Sequence, residues 1–157
     1  MSNVQYFPFK KEYPYLSLKL ITEAEVFNSM QYQNVIKVRA LWDTGAMLSA
    51  VTPDIAKKLN LVSTNRIKIN GIGNYSIADV VMISIRLPNL VELKNTRISV
   101  LNLVKDVDML IGMDIIQLGD FSISNGARKT LFTFAMPPLE DKTDLYEKAL
   151  AINSSLH

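Results

Sequence analysis

Apolar and polar residues alternate with a period of two along much of this chain, the pattern of strands with one face on a core. In VIKVRALW (residues 35–42), Ile36, Val38, Ala40 and Trp42 share one face, and Lys37 and Arg39 point the other way. YLSLKLI (15–21) sets Leu16, Leu18 and Leu20 against Ser17 and Lys19. SIADVVMISIRL (76–87) reads as a long strand ending at the turn signal Pro88-Asn89, and TRISVLNLV (96–104) supplies another. DMLIG (108–112) is short and apolar, as suits a strand buried on both faces. FSIS and TLFTFA flank NGARK, where Asn125-Gly126 marks a hairpin turn. Residues 22–34 read as a long, polar connection between early strands.

Three stretches break this pattern with helical spacing. TPDIAKKLNL opens with Thr52 as a cap and Pro53 at the first helical position, where a missing N–H costs nothing. MDIIQLG is a short helix that Gly119 is expected to close as the C-terminal glycine. After Pro137-Pro138, Leu145, Ala149 and Ile152 recur at helical spacing, so a terminal helix is expected to pack on the body or on a partner. Residues 1–136 then form one domain, with its core over about 15–134, and 137–157 form a C-terminal helical extension.

Composition removes several classes of function. The 157 residues carry a net charge of only +2 with no basic run, so charge does not imply nucleic acid as a partner. There is no cysteine, which excludes disulfides and thiolate metal sites. The single histidine is His157, at the end of the chain, so Ser-His-Asp and Cys-His mechanisms lack a base. Asp106, Asp108 and Asp114 are poorly suited to a hard-cation site with Asp43, because Asp114 is better explained at a helix N-terminus. Neither a metal nor another cofactor is expected. MSNVQYFPFKKEYPY lacks the pattern of a signal peptide, and no apolar stretch approaches the roughly 20 residues of a membrane helix. The expectation is a cytoplasmic protein with no membrane partner.

One stretch raises the question of chemistry, although an Asp-x-Gly triplet taken alone is most often only a turn. In ALWDTGAMLSAV, Asp43 directly follows a strand, and Gly45 lets the backbone turn sharply beside it. A carboxylate on a glycine-containing loop at a strand end is a common position for catalysis. Two further motifs follow in order: NGIGNYS (70–76) ahead of the long strand, and LIGMD (110–114) before the short helix. Together, D-T-G-A, the glycine-rich segment and the Leu-Ile-Gly motif resemble the retropepsin-like aspartic proteases, over about residues 15–134. The resemblance implies a mostly β, single-domain, closed acid-protease barrel with one or two short helices.

It also implies an aspartic endopeptidase. Hydrolysis without a metal or a covalent nucleophile needs one carboxylate to take a proton from water and one carboxylic acid to protonate the carbonyl oxygen. Two carboxyls about 3 Å apart share one proton because both cannot be ionised together, pepsin being a standard example. This chain has a single D-T-G, so the expected partner of Asp43 is Asp43 of a second copy across a two-fold axis. In the family, the residue matching Thr44 bonds across the dimer, and the carbonyl of Gly45 meets the substrate backbone. Ala46 and Ser49 support the active-site loop. Gly71, Ile72 and Gly73 are then expected in a flap, with Ile72 and Gly73 at its tip offering N–H groups to the peptide or a bridging water. Leu110, Ile111 and Gly112 are structural support behind the aspartate.

The chain departs from retroviral members at two matched positions. Those carry an acidic residue directly after D-T-G-A and an arginine after the second glycine; here the positions are Met47 and Met113. The paired loss reads as an apolar replacement, more like cellular and bacterial relatives, with Met47 and Leu48 lining subsites that favour hydrophobic side chains. The alternative function is a non-catalytic, dimeric peptide-binding module of the same fold, with an idle dyad; the intact D-T-G-A favours the enzyme.

Overall fold

In the computed structural model of the chain, which describes residues 4–70 and 75–155, the period-two segments become strands of two sheets. The strands are β1 (Phe7–Tyr13), β2 (Leu20–Asn28), β3 (Gln31–Trp42), β4 (Ala50–Val51), β5 (Asn65–Asn70), β6 (Tyr75–Arg86), β7 (Glu92–Val100), β8 (Met109–Ile111), β9 (Asp120–Ser124) and β10 (Thr130–Met136). The helices are α1 (Pro53–Lys58), α2 (Met113–Ile116) and α3 (Leu145–Ser154). One sheet has the order β2-β3-β8-β4-β7-β6-β5, and β2 also pairs with β6. That extra pairing, with Val26 opposite Ile85, closes the sheet into a ring and leaves β5 outside it. The second sheet has the order β1-β10-β9 and packs against the ring.

The join between the sheets is aromatic. Trp42, the last residue of β3, lies 4.9 Å from the ring of Phe134 and 5.2 Å from that of Phe132, with Phe9 and Phe121 completing the cluster. Such pairs add about 0.5–1.5 kcal/mol beyond their area burial. The buried indole N–H of Trp42 donates to the Thr22 hydroxyl at 2.9 Å, so its one polar atom is satisfied. The residue before Asp43 is thereby anchored in the buried aromatic cluster. Met109, Ile111 and Ile115 bury the underside of the same region.

Three expectations change. Residues 15–21 do not form one strand: Leu18 is fully exposed and the strand begins only at Leu20. The Ser17 hydroxyl donates to the Lys19 carbonyl, and the Ser17 N–H donates to the Thr130 hydroxyl, a local alternative to a ladder. The strand lies instead in the supposed polar connection, where Thr22, Ala24 and Val26 are buried and pair with β3. Gly119 does not close α2 in a left-handed conformation, since the helix ends at Gln117 with ordinary right-handed geometry. A Cβ at Gly119 would sit 2.2 Å from the Ala135 carbonyl oxygen, so glycine is required there for close backbone approach. Finally, α3 is capped by Asp144 but buries none of its residues, and so does not pack on the body. No helix among the described residues is long and apolar enough to cross a membrane.

Candidate active site

The site starts from three short elements that lock together. β8 runs parallel to β3, with Trp42 opposite Ile111, and antiparallel to β4, with Ala50 opposite Leu110. The residues between β3 and β4 therefore arch over the end of β8. Backbone bonds hold the arch: Asp43 N–H donates to the Ile111 carbonyl at 2.9 Å, and Met113 N–H donates to the Ala46 carbonyl at 2.8 Å. Asp114 N–H donates to the Met47 carbonyl at 3.2 Å. Gly112 lies under the arch so closely that a Cβ would stand 2.8 Å from the Leu48 carbonyl carbon and 2.9 Å from the Ala46 oxygen. Ile111 is thus bonded to the backbone of Asp43, Gly112 lies under the arch, and Leu110 pairs with Ala50 on β4.

A side-chain network completes the lock. Ser49, fully buried at 0% exposure, donates its hydroxyl to Asp114 Oδ1 at 2.7 Å and its N–H to Asp114 Oδ2 at 3.0 Å. The same hydroxyl accepts the Gly112 N–H at 3.0 Å. Asp114 is more than a residue at a helix start, because both its oxygens are committed to Ser49 and Oδ1 also accepts from Ile115 N–H. Sequence reasoning missed that pairing. Its trace was a lone polar residue in each of two apolar runs. Asp108 likewise has a structural role: its Oδ2 accepts the Arg39 N–H at 2.8 Å. No cluster of three or more potential metal ligands occurs among the described residues.

Within this frame the Asp43 carboxylate is half-exposed, and its Oδ1 accepts the Gly45 N–H at 2.8 Å. That bond fixes the carboxylate orientation, and a Cβ on Gly45 would crowd the same oxygen at 3.2 Å. Asp43 and Thr44 open into a cavity of about 400 Å³ walled by Leu18, Leu20, Trp42, Phe121 and Ile123. Among the described residues its lining includes no second carboxylate. Thr44 is exposed. A second cavity of about 300 Å³ is lined mainly by Ala46, Met47, Leu48, Ile69, Leu101 and Leu110, with Lys68 and Asn70 as its polar members. Met47 is 81% exposed and Met113 is also exposed, so neither is buried behind the loop as the ion pair's replacement. The contacts made there are the backbone bonds of the arch and the Ser49–Asp114 pair.

β5 and β6 form a hairpin beside the second cavity, with Asn70 opposite Tyr75 at the end of the ladder. Lys68 places its ammonium 3.9 Å from the Tyr75 ring centroid. Lower on the hairpin, Arg66 meets Asp79 at 3.1 Å. The Ser63 hydroxyl, and after it the Arg66 guanidinium, hold the Asp79 carboxyl below its usual pKa. The expected flap-tip residues Gly71, Ile72 and Gly73 lie outside the described residues.

Comparison with known proteins agrees with this geometry. Residues 28–115 match the family model described as "Aspartyl protease", and the chain belongs to that family. The match spans β3, the arch, the β5–β6 hairpin and β8, and ends within α2. Among solved structures, the chain is similar to a retropepsin-like aspartic protease from Rickettsia conorii, with a TM-score of 0.55 and 21% identity. That match covers 87% of this chain and 98% of the other. Its fold is therefore retropepsin-like. EIAV protease complexed with the inhibitor HBY-793 also matches, at a TM-score of 0.48 and 21% identity, over 65% of this chain and 88% of that one. Simian foamy virus (mac) protease matches at 0.42 and 18%, over 62% and 91%. No curated protein sequence matches the chain.

Proposed function

We propose that this chain is an aspartic endopeptidase whose catalytic dyad consists of Asp43 from each of two copies. The observation that carries the reading is a half-exposed Asp43, oriented by Gly45 N–H, in a cavity whose lining among the described residues holds no second carboxylate. One carboxyl cannot perform both proton transfers of peptide hydrolysis, and a two-fold axis beside Asp43 supplies the other. The ionised carboxylate takes a proton from water, whose oxygen then bonds to the peptide carbonyl carbon. The protonated carboxyl gives its proton to the carbonyl oxygen. Collapse of the resulting diol expels the amine, which leaves with a proton, and the dyad returns to its starting state.

Thr44 is exposed beside Asp43, where a partner's loop would meet it. The Gly45 carbonyl and the N–H groups of Gly71, Ile72 and Gly73 are assigned to the substrate backbone. Residues 1–136 are taken as the protease domain and 137–157 as its extension, a division that suits an α3 with no buried residue. A cysteine-free chain suits a reducing cytoplasm.

The shared dyad makes activity depend on association. Specific activity is expected to fall on dilution in step with the dimer fraction measured by sedimentation; constant specific activity from a chain that sediments only as monomer would remove the shared dyad. The cavity lined by Ala46, Met47, Leu48, Ile69, Leu101 and Leu110 predicts a cleavage preference for aliphatic or aromatic residues next to the scissile bond. A peptide-library profile dominated there by charged residues would overturn that assignment.

A further inference from the structure

Cations on the face of a sheet gain most when a carboxylate stands across the ladder. On β2, β3 and β6 that pairing is largely made: Lys37 meets Glu23 at 3.0 Å, and Arg86 meets Glu25 and Glu92. Arg39 differs. It stands directly opposite Glu23 in the β2–β3 register, yet Glu23 pairs with Lys37 instead. The Arg39 guanidinium has no carboxylate partner among the described residues. It opens into a cavity of about 520 Å³ that Lys11, Lys19, Tyr13 and Tyr15 also line. Lys11 and Lys19 are likewise outside every ion pair among the described residues. Three uncompensated cations therefore share one cavity, and the only carboxylate in its lining, Glu23, is committed to Lys37.

The cavity is held in shape. The Lys11 ammonium donates to the Ile21 carbonyl at 2.6 Å and lies 5.1 Å from the Tyr13 ring centroid, which leaves it two further N–H donors. Buried Tyr13 donates its hydroxyl to the same carbonyl at 2.9 Å. The Tyr15 carbonyl accepts the Thr130 N–H and the Ser17 N–H donates to the Thr130 hydroxyl, so the segment leading to Lys19 is tied to β10. Groups fixed in this way lose less freedom when a ligand arrives. Ser17 and Lys19 line both this cavity and the one into which Asp43 opens. Arg39 precedes Asp43 by four residues of sequence. At about 3.3 Å per strand residue that is about 13 Å, a span an extended peptide also covers in about four residues. We infer that this cavity is a distal anion site, which takes an Asp or Glu side chain about four residues from the scissile bond of a peptide lying across Asp43. The inference rests on the peptide-cleaving reading and adds the charge of the substrate to it. The guanidinium fork of Arg39 matches a carboxylate, and the ammonium groups of Lys11 and Lys19 reinforce it.

The test uses the full chain with Asp43→Asn, which is expected to hold peptides without cutting them. The peptides carry hydrophobic residues at the central bond and a single Asp, moved in turn from the second to the sixth position on either side. Binding is read from the anisotropy of a neutral dye on the peptide. Asp near the fourth position is expected to bind about five- to tenfold more tightly than Asn at the same place, a span suited to partly exposed charges acting together. Salt at about 1 M should abolish the difference. Adding Arg39→Gln should remove it, and Arg39→Glu should reverse it, so that a Lys peptide binds better than the Asp peptide. That reversal also shows that the variant is folded. If wild type cleaves these peptides but Asp and Asn bind alike at every position, the anion site is wrong and the endopeptidase stands. Arg39-dependent Asp binding with no cleavage by wild type would remove the endopeptidase and keep the site. Inorganic phosphate that binds through Arg39, with a flat Asp scan, would give the cavity to a small free anion and overturn the peptide assignment.

Discussion

Replacing Asp43 with Asn is expected to reduce pepstatin-sensitive peptide cleavage at mildly acidic pH by about 100-fold to 10,000-fold or more, the range over which positioned proton transfer acts. The fold should be unaffected. Asn keeps the side-chain volume, and its Oδ1 still accepts the Gly45 N–H that orients the carboxylate. The Asp43 N–H bond to Ile111 is a backbone contact and also survives. A thermal unfolding midpoint close to wild type, together with lost activity, separates a chemical role from a structural one. Equal activity in both proteins would remove the enzyme reading in favour of a non-catalytic peptide-binding module.

The second large effect is structural. Asp114→Ala removes both acceptors of a buried Ser49, its hydroxyl at 2.7 Å and its N–H at 3.0 Å. Hydrogen bonds to a charged group contribute about 1.5–3 kcal/mol each, and with part of this recovered by solvent the expected loss is about 2–3 kcal/mol. For a domain of this size that lowers Tm by about 5–10 °C. Asp114→Asn, which keeps one acceptor, should fall between wild type and Ala. Since Ser49 also supports Gly112 N–H beneath the arch, activity should decline along the same order. Ser49→Ala combined with Asp114→Ala should cost less than the sum of the single changes, because both cut the same network. Strict additivity in denaturant unfolding would show that the two residues are not coupled.

Much of the fold was legible because its signals were local. Ile36, Val38, Ala40 and Trp42 alternate within one strand, and β3, β6 and β8 lie close to where that pattern put them. Thr52 and Pro53 begin α1 as their chemistry requires, with the Thr52 side chain accepting from Ile55 N–H. What failed depended on partners distant in sequence. Leu16, Leu18 and Leu20 alternate as cleanly as any strand, but Ser17 is tied to Thr130, and Trp42 selects Thr22 as its acceptor. The pairing with β3 therefore begins at Leu20. Gly119 looked like a helix terminator because the crowding that demands it comes from Ala135 and Phe134.

The site divided along the same line. Asp43, Thr44 and Gly45 stood out because a triplet that alone reads as a turn is followed, in order, by NGIGNYS and LIGMD. Asp114 was visible only as a helix-start acid, since its pairing with Ser49 spans 65 residues of sequence. The proposed second copy rests on chemistry, since one carboxyl cannot serve as both base and acid.

A subunit-mixing experiment tests the central claim most directly. Wild-type chain is mixed in increasing proportion with Asp43→Asn at constant total concentration, allowed to exchange, and assayed for cleavage. If each active site takes one Asp43 from each copy, only wild-type pairs cleave, so activity follows the square of the wild-type fraction and an equal mixture retains about one quarter. Activity that falls in simple proportion to the wild-type fraction would place a complete site within each chain and contradict the shared dyad.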